Sequence, residues 1–291
     1  MSAELIVDAR NATGESPVWN AAEQALYWVD IPAGRLHRWS VADGQTQSWQ
    51  ADEMLACLAM HPSGGWLAGM QSGLFHLRPQ DDGGIRSECL ARVEHPRPQM
   101  RFNDGRCDRQ GRFWAGTMLL DMAAGARVGA LYRYDGQLQE RLDDLIVPNG
   151  LAFSPDGRIM YLSDSHPTVQ AVWAFDYDTD SGTPHNRRLF IDMTRHPGRP
   201  DGAAVDVDGC YWICGNDAGL VHRFTPDGRL DRSLAVPVQK PAMCAFGGPH
   251  LDTLFVTSIR PAGDVSEQPL AGGVFALSPG VRGMAEPALR P

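Results

Sequence analysis

The amino-acid sequence predicts an all-β protein, a six-bladed β-propeller of four-stranded blades with a site in its central channel. Three observations carry the prediction. Short alternating segments dominate, among them "LIVDA", "ALYWVD", "GLFHL", "ALYRY", "AVWAFDY", "LVHRF" and "GGVFAL". Helix-period patterns are scarce, while Gly (31) and Pro (21) are frequent. Many short strands with regular turn signals mean a barrel, a sandwich or a propeller. The period decides between these.

A unit of apolar strand, polar turn and aromatic-rich strand recurs six times. It reads "SPVWNAAEQALYWVD", "CLAMHPSGGWLAGM", "GRCDRQGRFWAGTM", "GLAFSPDGRIMYLSDS", "GAAVDVDGCYWICGN" and "CAFGGPHLDTLFVTS". With turn positions at Gln24, Gly65, Gly111, Gly157, Gly209 and Asp252, the spacings are 41, 46, 46, 52 and 43 residues. Each interval suits one four-stranded blade, for which about 40–50 residues is usual. Six such units fill residues 1–291 as a single propeller domain. The first strand, around Leu5 to Ala9, is expected to pair with the last blade near Val274 to Leu277. That pairing would close the ring and protect an edge.

Composition narrows the function classes. The chain is 43% hydrophobic and 21% charged, with a net charge of −9 and no basic run. That balance argues against a nucleic-acid partner, which needs a clustered basic face. The longest apolar stretches are strand-sized, so no membrane helix is expected. The opening "MSAELIVDAR" lacks the basic and apolar segments of a secretory leader. The six cysteines show no CxxC pair, so free buried thiols and a cytoplasmic location are expected. No obligate protein partner is implied.

The repeat also locates a candidate site. Eight or nine residues before each turn stand Glu15, Cys57, Asn103, Asn149, Asp201 and Cys244. Innermost strands line a propeller's channel, so equivalent positions converge at one end of it. The returning strands should bring Met118 to Asp121, Asp164 to His166, and Asn216 to Asp217 toward the same mouth. Glu15, Asn149 and Asp201 form an all-oxygen set suited to one divalent metal ion: calcium, magnesium or manganese, with zinc tolerated. "PNG" and "PDG" around Asn149 and Asp201 are also ordinary turn words; their shared phase favours the metal set. Asn103 and Arg101 read as substrate contacts, through an amide and a forked guanidinium. Asp104, Asp108, Asp156, Asp206 and Asp208 read as turn stabilisers. Cys57 and Cys244 lack a basic neighbour and read as inert. No nucleophile elbow, phosphate loop or zinc-protease motif occurs.

"GESPVW", "RFNDGRCDRQGRFWAGTM", "PNGLAFSPDGRIMYLSDS", "RPDGAAVDVDG", "CAFGGPHLDTLFVTS" and "PLAGGVFAL" together resemble the senescence-marker-protein (regucalcin)/gluconolactonase family, in order and over nearly the whole chain. The resemblance implies a six-bladed propeller with one divalent metal in the channel and hydrolysis of sugar-acid lactones. It implies Glu15, Asn149 and Asp201 as metal ligands and Arg101 and Asn103 as the substrate-contacting pair. Asp121 falls where relatives often carry a Glu that contacts sugar hydroxyls. A lactone is an ester, so its opening needs an activated water, with Asp201 the candidate general base. The expected partner is a small sugar lactone, aldono or aldaro. The alternative is a non-catalytic calcium-binding regulator using the same ligands.

Overall fold

The computed structural model describes residues 3–291. Strand β1 (Glu4–Val7) precedes five consecutive four-stranded antiparallel meanders. They are β2 (Gly14–Asn20), β3 (Ala25–Asp30), β4 (Arg35–Ser40) and β5 (Thr46–Gln50); then β6 (Leu55–Met60), β7 (Trp66–Met70), β8 (Gly73–Pro79) and β9 (Ile85–Arg92). The third holds β10 (Met100–Cys107), β11 (Phe113–Leu119), β12 (Gly129–Tyr134) and β13 (Leu138–Leu145). The fourth holds β14 (Pro148–Phe153), β15 (Ile159–Asp164), β16 (Ala171–Asp178) and β17 (Thr183–Asp192). The fifth holds β18 (Arg199–Val205), β19 (Tyr211–Asn216), β20 (Leu220–Phe224) and β21 (Leu230–Ala235). The sixth sheet joins β22 (Pro241–Gly247), β23 (Thr253–Ser258) and β24 (Val274–Leu277) to β1.

The expected ring closure is present. Leu5 pairs with Phe275 and Glu4 with Ala276, so the chain's first strand becomes the outer strand of its last blade. The predicted Leu5–Ala9 segment overruns this strand at its C-terminal end, because a register slip follows Leu5 and pairing ends at Val7. Among the described residues no helix is long and apolar enough to cross a membrane.

Between blades, large apolar side chains do the packing. Trp28, Trp114 and Trp212 are fully buried on the second strands of blades one, three and five. Burying such a ring removes 150–250 Å² from water. The hairpins below are tied by acids, of which Asp206 and Asp108 are fully buried. Asp206 Oδ1 accepts the N–H groups of Asp208 and Cys210, while its Oδ2 takes Trp212 Nε1 and Arg223 Nε, each at 2.8 Å. Asp108 repeats the device with the N–H groups of Gln110 and Arg112, the Arg112 guanidinium and the Tyr177 hydroxyl. Asp156 accepts from Ser154 and Arg158 N, and Asp208 pairs with Arg223. These four acids are turn stabilisers, as their sequence setting predicts.

Asp104 is not. It lies buried in β10, where Oδ2 accepts the N–H of Leu151 from the neighbouring blade and Oδ1 has no partner among the described residues. Burial raises its pKa against the opposing influence of Arg106. All six cysteines are free, and only Cys89 is exposed. The C-terminal segment crosses the end of the channel away from the mouth, with Leu289 N bonded to Met60 O, Arg290 N to Gly111 O, and Arg106 paired with Glu286 at 3.3 Å.

Candidate metal and active site

Every innermost strand slips register at the same level. The slips fall between Glu15 and Val18, Leu55 and Cys57, Phe102 and Gly105, Asn149 and Ala152, Pro200 and Ala203, and Pro241 and Cys244. A bulge re-aims side chains and releases backbone from the ladder. This one is repeated around the axis at the head of the channel. "PNG" and "PDG" therefore lie inside bulged strands, not in turns.

The backbone that follows is demanding. Gly150 sits at φ +59, and a Cβ there would meet the Tyr211 hydroxyl at 2.5 Å and Ser163 Oγ at 2.6 Å. Glycine is the residue that takes this conformation without steric cost. Ser16, next to Glu15, adopts φ 49 with a side chain, and its Oγ accepts Leu58 N from the next blade.

The hairpin turns set the phase. Counting five residues back from the turn residues Asn20, His61, Asp108, Ser154, Asp206 and Gly248 gives Glu15, Ala56, Asn103, Asn149, Asp201 and Met243. The four oxygen-bearing residues hold the phase that the sequence assigns. Cys57 and Cys244 do not: they lie one residue further on, because the turns of blades two and six begin at His61 and Gly248. Both thiols are fully buried, and burial raises that of Cys57. Neither lines the cavity.

That cavity, of about 260 Å³, is lined by Glu15, Arg101, Asn103, Asn149 and Asp201 together with Thr13, Met118, Met122, Val147, Ser165, Arg199, Asn216, Lys240, Ile259 and Pro261. It is smaller than the roughly 300–1,000 Å³ of drug-sized sites and suits a single small ring. A larger groove of about 560 Å³ lies between the first two blades around Tyr27, Trp49 and Trp66. It contains no comparable convergence of buried oxygens.

The polar residues form a chain of bonds from Arg101 to the Pro200 carbonyl, with a separate pair at Asp201. Arg101 Nη1 donates to Asn103 Oδ1 at 2.7 Å and to the Phe102 carbonyl at 2.8 Å. Asn103 Nδ2 donates to Asn149 Oδ1 and to the Pro148 carbonyl, both at 3.0 Å. Asn149 Nδ2 donates to Ser165 Oγ at 2.7 Å, and Ser165 Oγ in turn donates to the Pro200 carbonyl. Asn216 Nδ2 donates to Asp201 Oδ2 at 2.6 Å, and its own buried Oδ1 has no partner among the described residues. Each amide is oriented by its donor side, so the acceptor oxygen of Asn149 is held in place with lone-pair capacity to spare.

The electrostatics are strained. Burial lifts Glu15 well above the usual carboxylate range; the charges of Asp201 and Asp104 add to it, while Ser16 N–H and Arg101 oppose. Burial likewise pushes Asp201 up to about 7, against the hydrogen bond from Asn216. Arg101 is lowered to about 10 by its own burial, countered by Glu15. Two buried acids thus share the depth of the cavity with Arg101, itself poorly solvated, while Arg199 acts on Asp201 from the rim without holding it in the usual carboxylate range. A divalent cation relieves this imbalance, and two carboxylates with an amide oxygen are a donor set that hard ions take. Among the described residues no three His, Cys, Asp or Glu side chains gather to hold a metal. The set here has only two such residues, and its third oxygen comes from an amide.

Each of the three stretches expected at the mouth sends one residue to the cavity wall: Met118, Ser165 and Asn216. Asp121, expected as a substrate contact, is exposed and stands just before a short 3₁₀ turn, Met122–Ala124; it does not line the cavity, whereas Met122 does. The chain turns after β11, and this carries the acid outward. Asp164 is fully buried and clamps the N–H groups of Ile146, Val147 and His166. His166 is engaged by Thr168 Oγ1 and the Met122 carbonyl. Asn216 reaches the site as expected, while Asp217 stands beside it, pairing Arg199 and Lys240. Ser165 lies within the Asp164–His166 stretch expected there, whereas sequence reasoning missed Arg199 and Lys240. Arg199 carried a signal: it stands two residues before Asp201, as Arg101 stands two before Asn103.

Fold and site together define a propeller enzyme whose buried acids, amides and arginine share one small cavity at the head of the channel. Residues 13–260 match the SMP-30/Gluconolactonase/LRE-like region family model. A 6-deoxy-6-sulfogluconolactonase of Pseudomonas putida is 41% identical over 290 residues, covering 98% of this chain and 97% of the relative. Regucalcin of Bos taurus is 35% identical, covering 93% and 92%. A solved structure named as a calcium-binding protein, regucalcin, from Agrobacterium tumefaciens superposes with a TM-score of 0.92 at 29% identity, covering 100% of this chain and 98% of that one. This chain belongs to the SMP-30/gluconolactonase family and is a gluconolactonase-like hydrolase.

Proposed function

We propose that the protein opens sugar-acid lactones to the free acid, using water activated at one divalent metal ion held by Glu15, Asn149 and Asp201. One observation carries the reading. Glu15 and Asp201 are buried without enough compensating charge, in the same cavity as an amide oxygen held ready by Asn103 and Ser165. When bound, the ion polarises the ester carbonyl and lowers the pKa of water.

The chain's own groups do the rest. Asp201 accepts the proton of the attacking water, with Asn216 holding its Oδ2 so that Oδ1 is left for the exchange. As the ring C–O bond breaks, the same proton passes to the leaving ring oxygen, so water is consumed and nothing else is needed. Arg101 and Asn103 orient the carbonyl and neighbouring hydroxyls, their fork and amide already linked at 2.7 Å. The apolar side chains of Met118, Val147 and Ile259 form the dry wall of the site. The relative named for a sulfonated gluconolactone and the resemblance stated above make aldonolactones and aldarolactones the substrate classes of choice.

The test is a pH-indicator assay of lactone opening by chelator-stripped protein, with and without calcium, manganese, magnesium or zinc. The panel comprises aldonolactones, aldarolactones and a 6-sulfonated gluconolactone. Hydrolysis restored by metal is the expected result. Tight metal binding with no turnover on any lactone would replace this reading with that of a calcium-binding regulator.

A further inference from the structure

Arg199 and Lys240 both line the cavity, and both are tied to a single carboxylate. Arg199 Nε donates to Asp217 Oδ2 at 2.6 Å, and Lys240 Nζ reaches Asp217 Oδ1. One acid cannot neutralise two bases, so this cluster has one positive charge in excess. Hydrogen-bonding capacity is in excess as well. An ammonium has three donors and a guanidinium five, yet among the described residues the pair makes, beyond Asp217, only a long bond from Arg199 Nη1 to the Ser165 carbonyl. All three side chains are about one-quarter to two-fifths exposed: they stand at the solvent edge of the site.

The clamp between them is held at a conformational cost. Asp217 adopts φ 76, in the left-handed region that side chains other than glycine's rarely enter. A strained residue persists only where its surroundings over-determine it, and here both carboxylate oxygens are engaged by cations. The position is also particular to this blade. At the level of Arg199 the other blades carry Thr13, Met54, Arg101, Val147 and Pro241, so only one further cation stands there. The acids Glu15 and Asp201 lie buried deeper in the same cavity. The site is therefore polarised, with acids inside and surplus positive charge at the rim.

We infer that Arg199 and Lys240, aligned by Asp217, form an anion subsite that selects lactones bearing a negatively charged group remote from the ester carbonyl. The inference rests on the lactonase reading and deepens it. Guanidinium and ammonium donors recognise carboxylate, sulfonate and phosphate oxygens alike. The shared chemistry is thus a terminal oxyanion.

The experiment compares kcat/KM for neutral glucono-δ-lactone with its 6-sulfonate and 6-phosphate analogues and with glucaro-1,4-lactone, on metal-loaded wild type, Lys240→Gln, Lys240→Arg and Arg199→Gln. We expect at least one anionic lactone to exceed the neutral one about tenfold at low salt, with the advantage shrinking as sodium chloride rises. Lys240→Gln and Arg199→Gln should each remove about tenfold on that lactone and less than threefold on the neutral one. Lys240→Arg should restore the preference. The ranking of the three anions identifies which oxyanion the rim takes. A neutral preference in the wild type, or equal losses on both classes in the variants, overturns the subsite while leaving the lactonase standing. Failure to open any lactone overturns the lactonase reading and the subsite with it.

Discussion

Asn103 Nδ2 donates to Asn149 Oδ1 at 3.0 Å, across the boundary between the third and fourth blades. The bond couples two roles that the sequence separates, because the proposed substrate contact also orients a proposed metal ligand. Asn103→Ala is therefore expected to lower kcat and also to weaken metal binding by about 10–100-fold, the usual effect of losing a group that orients a ligand. Calorimetric titration of metal into the variant, alongside turnover, checks this. Unchanged metal affinity would make Asn103 a substrate contact alone.

Asp201 is asked to be ligand and base together, and its two oxygens are distinguishable because Asn216 Nδ2 occupies Oδ2 at 2.6 Å. Asp201→Asn keeps an oxygen donor but cannot accept a proton. Its kcat should fall about 10²–10⁴-fold, the usual range for a lost general base, while metal still binds. Asp201→Ala should lose both. If Asp201→Asn turns over at the wild-type rate with metal bound, another group is the base.

Asp121 and its neighbour offer a contrast. Asp121 is exposed and off the cavity wall, whereas Met122 lines the cavity at 45% exposure. Asp121→Ala should leave kcat and KM within about twofold of wild type, as surface substitutions usually do. Met122→Ala should raise KM about three- to fivefold, which corresponds to roughly 1 kcal/mol of lost apolar contact. A large loss in Asp121→Ala would return that acid to the substrate's neighbourhood.

Why some of the site was legible in the sequence and some was not follows from what a repeat transmits. A blade's period is imposed by the backbone, so Glu15, Asn103, Asn149 and Asp201 share a phase that any reader can count. The bulge at that level is not visible in the sequence, and hairpin lengths differ between blades. Small errors in placing the turns of blades two and six therefore replaced Ala56 and Met243 with Cys57 and Cys244. Asp104 reads like the turn acids Asp108 and Asp206, yet it binds Leu151 N of the next blade because it stands inside the bulged strand. Ser165 closes the fourth repeat unit, whereas Lys240 belongs to a loop outside the repeat. Only the fold brings Lys240 to Asp217, 23 positions away in sequence.

His37 links this architecture to pH. Its ring stacks on Trp28 at 5.1 Å, Nδ1 bonds Ser48 Oγ at 2.7 Å, and Nε2 is buried without a partner among the described residues. Burial lowers its pKa from 6.5 to about 4, only partly opposed by the charge of Asp30. Between those values the unfolded chain binds a proton that the folded chain refuses. His37 thus favours the fold above pH 6.5, and that contribution is lost as pH falls toward 4. At pH 5 the loss is about 2 kcal/mol, at 1.36 kcal/mol per unit. The buried carboxylates work in the opposite direction, since their raised values favour the folded state as acid is added. Total stability therefore does not isolate the histidine, but a difference between variants does. His37→Gln removes the titration and keeps a polar group for Ser48. Urea unfolding at pH 7 and pH 5 should show wild type losing about 2 kcal/mol more than His37→Gln over that interval. Parallel losses in the two proteins would mean that the His37 ring accepts its proton without leaving the folded state.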